Sequence, residues 1–422
     1  MPGSRTFEMP IFAGLTWEQI RSGAVFFLAA ISFLVFVEPA PVDLLFFAAL
    51  LFFLRSGLSL TIGAAPMVML LLLYNLGGFA SAIPVVDKDK TMMFVLTSSY
   101  MAMSAIFLAY YLSYDPIRRF RILRAGLIVA GICAAIAGLL DYADIGGLFP
   151  NTVLKGRATG TFKDPNVFST FLILPGMLLM HGLMTGETRH KFWSLIGLLI
   201  VCAGVFFSFS RGAWVNFLGA SALLALFTFI VSPQGGVRKR IVFFVVLSGL
   251  AGFFAFTILM SVESVRAMFL MRFSLLQSYD VGETGRFGNQ LNSIPMLMNL
   301  PLGFGPLQYR SVFGSDPHNT FINAFASYGW LGGISYMLLI ISTIATGLRS
   351  IFTKTPWQYA AICVFCPLAT TILQGVQIDT DHWRHFYWLL GMSWGLFAAT
   401  LQPVAIRDGL AALPPRRALA AA

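Results

Sequence analysis

Charge is what this sequence has least of. Only 11% of its 422 residues are Asp, Glu, Lys or Arg, against roughly 25% in an ordinary soluble domain. That scarcity excludes a water-soluble protein, because much of any folded chain's surface must face solvent. Cysteine is also sparse, and its four residues, Cys133, Cys202, Cys363 and Cys366, all fall inside apolar stretches. No disulfide framework can be argued from them. Cys363 and Cys366 have the spacing of a redox or metal pair, but without polar neighbours they read as small hydrophobes. There is no internal repeat, low-complexity stretch or soluble domain.

What is there is hydrophobic. Apolar residues make up 57% of the chain and the mean hydropathy is +0.79. A bilayer-spanning helix needs roughly 20 apolar residues, so about 240 apolar positions correspond to about a dozen spans. The fold class expected is an all-α polytopic membrane protein. Apolar runs place the spans at about 22–37, 41–54, 61–84, 92–113, 122–140, 165–184, 192–209, 213–231, 241–261, 319–345, 357–374 and 385–402. The first two are short and meet at Glu38-Pro39, as a re-entrant hairpin or two tilted helices. No cleavable signal peptide is expected, since the polar opening segment runs into a span without a small-residue cleavage site.

Lys and Arg set the orientation. With the N-terminus inside, the inner segments hold seventeen basic and five acidic residues, and the outer segments eleven basic and thirteen acidic. The expected topology is therefore N-in and C-in, with a cytoplasmic N-terminus over 1–21, a single transmembrane domain over 22–402 and a cytoplasmic tail over 403–422. The net charge of +10 is a topological signal, and nucleic-acid binding is not implied. One connection is long, about 262–318 on the outer side, and loops of that size are usually functional. It opens with an amphipathic stretch in which Val265, Met268, Phe269, Arg272 and Leu276 share helical spacing, expected to lie along the membrane surface.

Ionisable residues are expensive in a membrane protein and so carry information. Here they gather at outer span ends. In "GRATGTFKDPN", Arg157 lies among glycines that let backbone approach a ligand, and Asp164-Pro165 opens a helix that contains Asn166. A loop that only caps a helix would use the same residues. In "SFSRGAW", Arg211 stands at the turn between the seventh and eighth spans, where it could also snorkel to lipid headgroups. In the long loop, Arg286 is flanked by Gly285 and Gly288, with Gly303 and Gly305 close behind. In "DPHNTFINAFASYGWLGG", His318 and Asn319 open the tenth span. A helix N-terminus favours neutral imidazole, which can accept a proton, so His318 is a general-base candidate as well as a possible structural cap.

The cluster "DTDHWRHFYW" places Asp379, Asp381, His382, Arg384 and His385 at the outer end of the last span. Those residue types bind divalent metals. Only His382 and His385 share a helix face, and Arg384 would oppose a cation, so a polar girdle around a site mouth fits better. Arginine's planar fork suits phosphate oxygens at any relevant pH. Two or three arginines converging below an apolar groove would hold a lipid diphosphate and stabilise charge on it as it departs. His318 would then deprotonate an attacking sugar hydroxyl. No metal or other cofactor is required if arginines do that work.

The segments "RATGTFKDPN", "FSFSRGAW", "TGR" and "PHNTFINAFASYGWLGG", in this order and spacing, resemble the O-antigen ligase and polymerase superfamily over roughly residues 150–345. The resemblance implies a GT-C-like membrane fold at the bacterial inner membrane, with a long periplasmic loop that carries short helices. It implies metal-independent, inverting transfer of an undecaprenyl-diphosphate-linked glycan, facing the periplasm, to a lipid A-core sugar. Arg157 and Arg286 match the diphosphate arginines, Arg211 the "SRG" arginine, and His318 the proposed base. Asp164, Asn166, Asn319 and Arg384 complete the expected glycan and diphosphate contacts. The long loop is shorter and less basic than a typical ligase's, and only Arg384 resembles the terminal basic signature. The acceptor therefore stays open between lipid A-core and a second lipid-linked repeat, the latter making the protein a polymerase. A transporter or flippase is more distant, because transporters bind at mid-depth and often show repeats. Besides donor and acceptor, the expected partners are membrane lipids.

Overall fold

Helices begin here where a polar residue or proline relieves the first turn. The computed structural model describes residues 16–54, 61–145, 156–233, 235–273, 282 and 285–402, and within them every regular element is helical. Helix α1 (Trp17–Ala30) starts on a capping box in which the Thr16 hydroxyl and the Gln19 side chain bond each other's backbone N–H groups. Helix α2 (Pro41–Leu54) opens on proline, and α3 (Ala65–Ala82) follows a single 3-10 turn. Asp87 caps α4 (Lys88–Tyr114) and Asp115 caps α5 (Pro116–Tyr142). Then come α6 (Pro165–Phe171), α7 (Ile173–Thr185), α8 (Lys191–Phe207), α9 (Arg211–Val231) and α10 (Gly235–Met260). Three short helices follow, α11 (Glu263–Phe273), α12 (Arg286–Leu297) and α13 (Tyr309–Phe313). Helices α14 (Thr320–Phe352), α15 (Gln358–Gln374) and α16 (Arg384–Thr400) complete the described chain.

The chain is thus an all-α polytopic membrane protein. Among the described residues, seven helical segments are long and apolar enough to cross a membrane, and three more are apolar but shorter. All twelve expected spans contain helix, with α6 and α7 sharing the sixth. The first is displaced, because the Thr16 box starts α1 early and Ile31 ends it, leaving 31–40 as turns. Of the expected N-terminal segment 1–21, residues 1–15 lie outside the described residues and 16–21 form the cap and start of α1, and the expected tail 403–422 also lies outside them.

Small residues let the central helices touch. A Cβ on Gly391 or Gly395 of α16 would stand 2.3 or 2.7 Å from the carbonyl oxygens of Ala105 or Ala109 on α4. Tyr74 of α3 stacks on Tyr328 of α14 with ring centroids 4.0 Å apart. Below its first turns α14 breaks at Gly329, whose φ of 64° is left-handed. The break admits the 301–305 turn, where Phe304 and Gly305 N–H groups donate to the Ala326 carbonyl at 2.8 and 3.0 Å. A Cβ on Gly303 would lie 2.4 Å from the Phe325 oxygen. Gly303 and Gly305 therefore serve helix packing.

The amphipathic face of α11 turns toward protein. Val265 is buried, Phe269 stacks on Trp214 of α9 at 5.4 Å, and Met268 lies against the Gly156 turn. Leu276 lies outside the described residues.

One ion pair ties the first short hairpin to the last helix. Arg384 Nε and Nη2 donate to the two oxygens of Asp43 at 3.0 and 2.9 Å, and the Ala40 N–H donates to Asp43 Oδ2 at 2.8 Å. Asp43 is buried and Arg384 is partly exposed, so removing Asp43 costs less than the about 3–5 kcal/mol of a fully buried pair, because solvent still reaches the stranded guanidinium. Asp43→Ala is therefore expected to lower the apparent melting temperature of the detergent-solubilised protein by several degrees, as differential scanning fluorimetry would read.

Candidate functional site at one end of the bundle

The motif segments meet where α5, α8 and α15 end and where α6, α9, α14 and α16 begin. Asp141, in the last turn of α5, is buried and accepts from the Thr159 N–H, the Thr159 hydroxyl and the Gly160 N–H at 2.9, 2.7 and 2.9 Å. Gly160, with φ of 57°, lies so close that a Cβ would be 2.8 Å from the Gly138 nitrogen. Its lack of a side chain thus serves contact with α5. The anchored loop presents Arg157, which is buried and donates from Nε to the Ser208 carbonyl at 2.8 Å. Ser210 caps α9, with Arg211 as the first helical residue, and its hydroxyl donates to Asn166 Oδ1 at 2.7 Å. Asp164 caps α6 through the N–H groups of Asn166 and Val167. Arg157, Asp164, Asn166 and Arg211 therefore form one cluster.

A second cluster forms around His318. Its backbone N–H and that of Asn319 donate to Oδ2 and Oδ1 of Asp379 at 3.0 and 2.9 Å, and its Nδ1 is 3.9 Å from Asp379 Oδ2. Asn319 caps α14 through Phe321 and Ile322. Arg286 opens α12 and donates from Nη1 to the Gln377 carbonyl at 3.3 Å, with its guanidinium over the Phe287 ring at 4.9 Å. His318 has φ of 48° and Phe209, in the "SFSRG" turn, has 47°. Bulky residues in the left-handed region cost of order 1–3 kcal/mol and cluster at functional sites.

The connection between α15 and α16, residues 375–383, joins the two clusters. At its start, Gln374 Oε1 accepts from Thr170 of α6 at 3.2 Å and from Asn216 of α9 at 2.6 Å. Next come the Gln377 carbonyl under Arg286 and the Asp379 carboxylate under His318. The Thr320 N–H donates to the Gly375 carbonyl at 2.7 Å. Asp381, 1% exposed, accepts from Asn323 of α14 at 2.9 Å. Burial first, then the Asp381 carboxylate, raise the Asp379 carboxyl above the usual range, opposed by the Asn319 and His318 N–H groups.

Other expected contacts fall elsewhere. The fork of Arg384 is occupied by Asp43, so this arginine is held in an ion pair. His382 has Nδ1 3.1 Å from Asp381 Oδ2 and Nε2 3.2 Å from the Phe94 carbonyl, which commits both ring nitrogens. A cavity of about 170 Å³ brings Asp164, Lys163, Arg384 and His385 together on the α1–α2 side, but not Arg157, Arg286 or His318. Gln374, Gln377 and Asn216 escaped sequence reasoning because it followed ionisable residues. For Gln374 and Asn216 the only signal was an amide inside an apolar span, and Gln377 acts through a backbone carbonyl that gives none.

Residues 196–337 match the family model described as O-Antigen ligase. The match spans Arg211, Arg286 and His318 and supports the resemblance to the O-antigen ligase and polymerase superfamily. It supports lipid-linked glycan transfer or polymerisation in general, and with the membrane-spanning helices a multi-pass membrane protein. No curated protein matches the sequence.

Truncating Gln374 would leave Thr170 and Asn216 short of an acceptor, and each stranded buried group costs roughly 1–3 kcal/mol. Gln374→Ala is expected to lower the apparent melting temperature and to speed proteolysis in the 375–383 connection. An unchanged melting curve and cleavage rate would remove the connection's role as the joint.

Proposed function

With the O-antigen ligase family as premise, we propose that the protein transfers an undecaprenyl-diphosphate-linked glycan to a sugar hydroxyl of lipid A-core. The reaction takes place at the periplasmic face of the bacterial inner membrane, within a single membrane domain over 22–402 whose catalytic loop is about 262–318. The observation that carries this reading is one short connection serving both an arginine and a histidine. Gln377 holds Arg286 and Asp379 holds His318, two residues apart in sequence. Charge for a diphosphate and a proton acceptor are thereby anchored to one short connection.

The acceptor hydroxyl gives its proton to the His318 imidazole as its oxygen attacks the anomeric carbon. The bond from that carbon to the diphosphate oxygen breaks on the opposite face, so configuration inverts. Negative charge grows on the leaving undecaprenyl diphosphate, where Arg286 and Arg157 stabilise it, with Arg211 as a further diphosphate contact. Asp379 acts behind His318. Its carboxylate fixes the backbone that carries the imidazole and favours the protonated ring that forms as the base works. Asp164, Asn166 and Asn319 hold helix starts at the rim. Among the expected substrate contacts Arg384 is the poorest fit, since Asp43 already fills its fork.

The lipid tail has a place beside these groups. An apolar groove between α12 and α14, lined by Leu297, Met298, Phe325, Trp330, Ile334 and Met337, runs along the two helices that begin at Arg286 and just after His318. Trp330 closes its floor by donating from Nε1 to the Leu297 carbonyl at 2.8 Å.

The test is transfer by the purified protein from a lipid-linked glycan to lipid A-core. His318→Ala is expected to reduce turnover by about 10²–10⁴-fold, the usual contribution of a positioned base. Arg286→Lys should restore little of the loss in Arg286→Ala, because an ammonium lacks the fork. Normal transfer by both Ala variants would refute the assignment, and donor-to-donor joining without transfer to core would make the protein a polymerase.

Asp379 also predicts a pH dependence. A carboxyl held this far above the usual range takes up its proton as pH falls from alkaline toward neutral, and the imidazole then loses its anionic support. Transfer should fall as pH is lowered through that range. Asp379→Asn should be slow throughout and lack that limb of the pH–rate profile.

A further inference from the structure

The end of the bundle opposite the candidate site carries a second cluster of charge. Helix α5 begins there at Pro116, α7 ends at Thr185 and α15 begins at Gln358. Between them lies a cavity of about 220 Å³ lined by Arg121 and Arg124 of α5, His181 of α7, Glu187 of the following turn, Trp357 just before α15 and Tyr359 of α15. Several features of this cavity suit an anion that also carries an apolar portion.

Two guanidiniums line it against one carboxylate, so its charge favours an anion. Glu187 is half-exposed, with its Oε2 3.8 Å from His181 Nδ1. Burial raises the Glu187 carboxyl and Arg124 pulls it back, which makes the one opposing group a reluctant anion. The first turn of α15 has no side-chain cap: its N-cap is Trp357, which makes no capping hydrogen bond. The Gln358 N–H donates to the Thr355 carbonyl at 3.2 Å, and the rest of the first turn offers N–H groups and a positive dipole end to phosphate. Independently of these charges, His181 is only 3% exposed and its Nε2 is buried with no hydrogen-bond partner. A buried imidazole nitrogen without a partner costs free energy unless a ligand supplies one.

The rest of the lining is apolar. Ile117, Phe120 and Ala360 stand beside the charged residues, and Trp357 is almost completely buried. A free phosphate would have no use for them, whereas the glycerol and first acyl carbons of a phospholipid would. Basic pockets between membrane helices commonly bind such headgroups.

We propose that this cavity binds the phosphate of an anionic membrane lipid, with Arg121, Arg124 and the N-terminus of α15 as the anion-binding groups. The site is separate from glycan transfer. It clamps α5, α7 and α15 together, and these are the helices whose other ends carry Asp141, lead from Asn166 and carry Gln374.

The experiment is thermal unfolding of the full-length protein in nanodiscs of phosphatidylcholine, with or without phosphatidylglycerol. A ligand that binds only the folded state raises the melting temperature. Phosphatidylglycerol is expected to raise it by a few degrees, and Arg121→Gln/Arg124→Gln should abolish the rise. Arg238→Gln/Lys239→Gln, which removes exposed basic residues at the same end, should keep it. If the first double variant does not fold, Arg121→Glu alone gives the same comparison at an exposed position. Native mass spectrometry should also show a retained phosphatidylglycerol adduct that the Arg121 variants lose. No rise in the wild type, or equal rises in both double variants, would overturn the proposal. An equal rise with inorganic phosphate in pure phosphatidylcholine discs would overturn lipid as the source.

Discussion

The hydrogen bonds made by residues 374–381 are the constraint on which the site depends. Polar groups at the end of an apolar bundle are costly unless each finds a partner. Gln374 engages α6 and α9, Gln377 engages α12, and Asp379 and Asp381 engage α14. One short connection therefore sets the relative positions of four helix starts. Three of those starts carry the residues read as functional: Asn166 on α6, Arg211 on α9 and Arg286 on α12. The fourth, α14, begins directly after His318.

The same connection explains why a strained residue persists at His318. Its left-handed φ points two successive N–H groups at the two oxygens of one carboxylate. Asp379 compensates the strain of that backbone. The carboxylate thus has two effects, holding the peptide and lying behind the ring. Arg157 is fixed on different terms, through the Asp141 anchor below it and the Ser208 carbonyl beside it. The candidate site is built from two independently stabilised halves with the α15–α16 connection as the joint.

Much of this was legible in the sequence. Apolar run length located helix in all twelve expected spans, because burying backbone in lipid leaves few alternatives. Clustered arginines and His318 at span ends marked one end of the bundle, because ionisable residues are costly beside lipid and so carry information. What was not legible follows from distance in the chain. Arg384 could not be seen to pair with Asp43, 341 residues away. Gln377 contributes only a carbonyl, which any residue has. Gly160 looked like backbone prepared for a ligand, yet it is where two backbones touch. The start of α1 was missed because the capping box at Thr16 precedes the apolar run.

The central claim is that Arg286 and His318, joined through residues 377–379, serve one lipid-linked donor, Arg286 at its diphosphate and His318 at the acceptor side of its anomeric carbon. The most direct measurement is a cryo-electron microscopy structure of the full-length protein with undecaprenyl diphosphate bound. The account predicts diphosphate density within hydrogen-bond reach of the Arg286 guanidinium, the His318 imidazole adjacent to it, and the isoprenoid tail along the α12–α14 groove. Diphosphate density away from both residues, at the Arg121 and Arg124 end or at mid-depth among the helices, would contradict it.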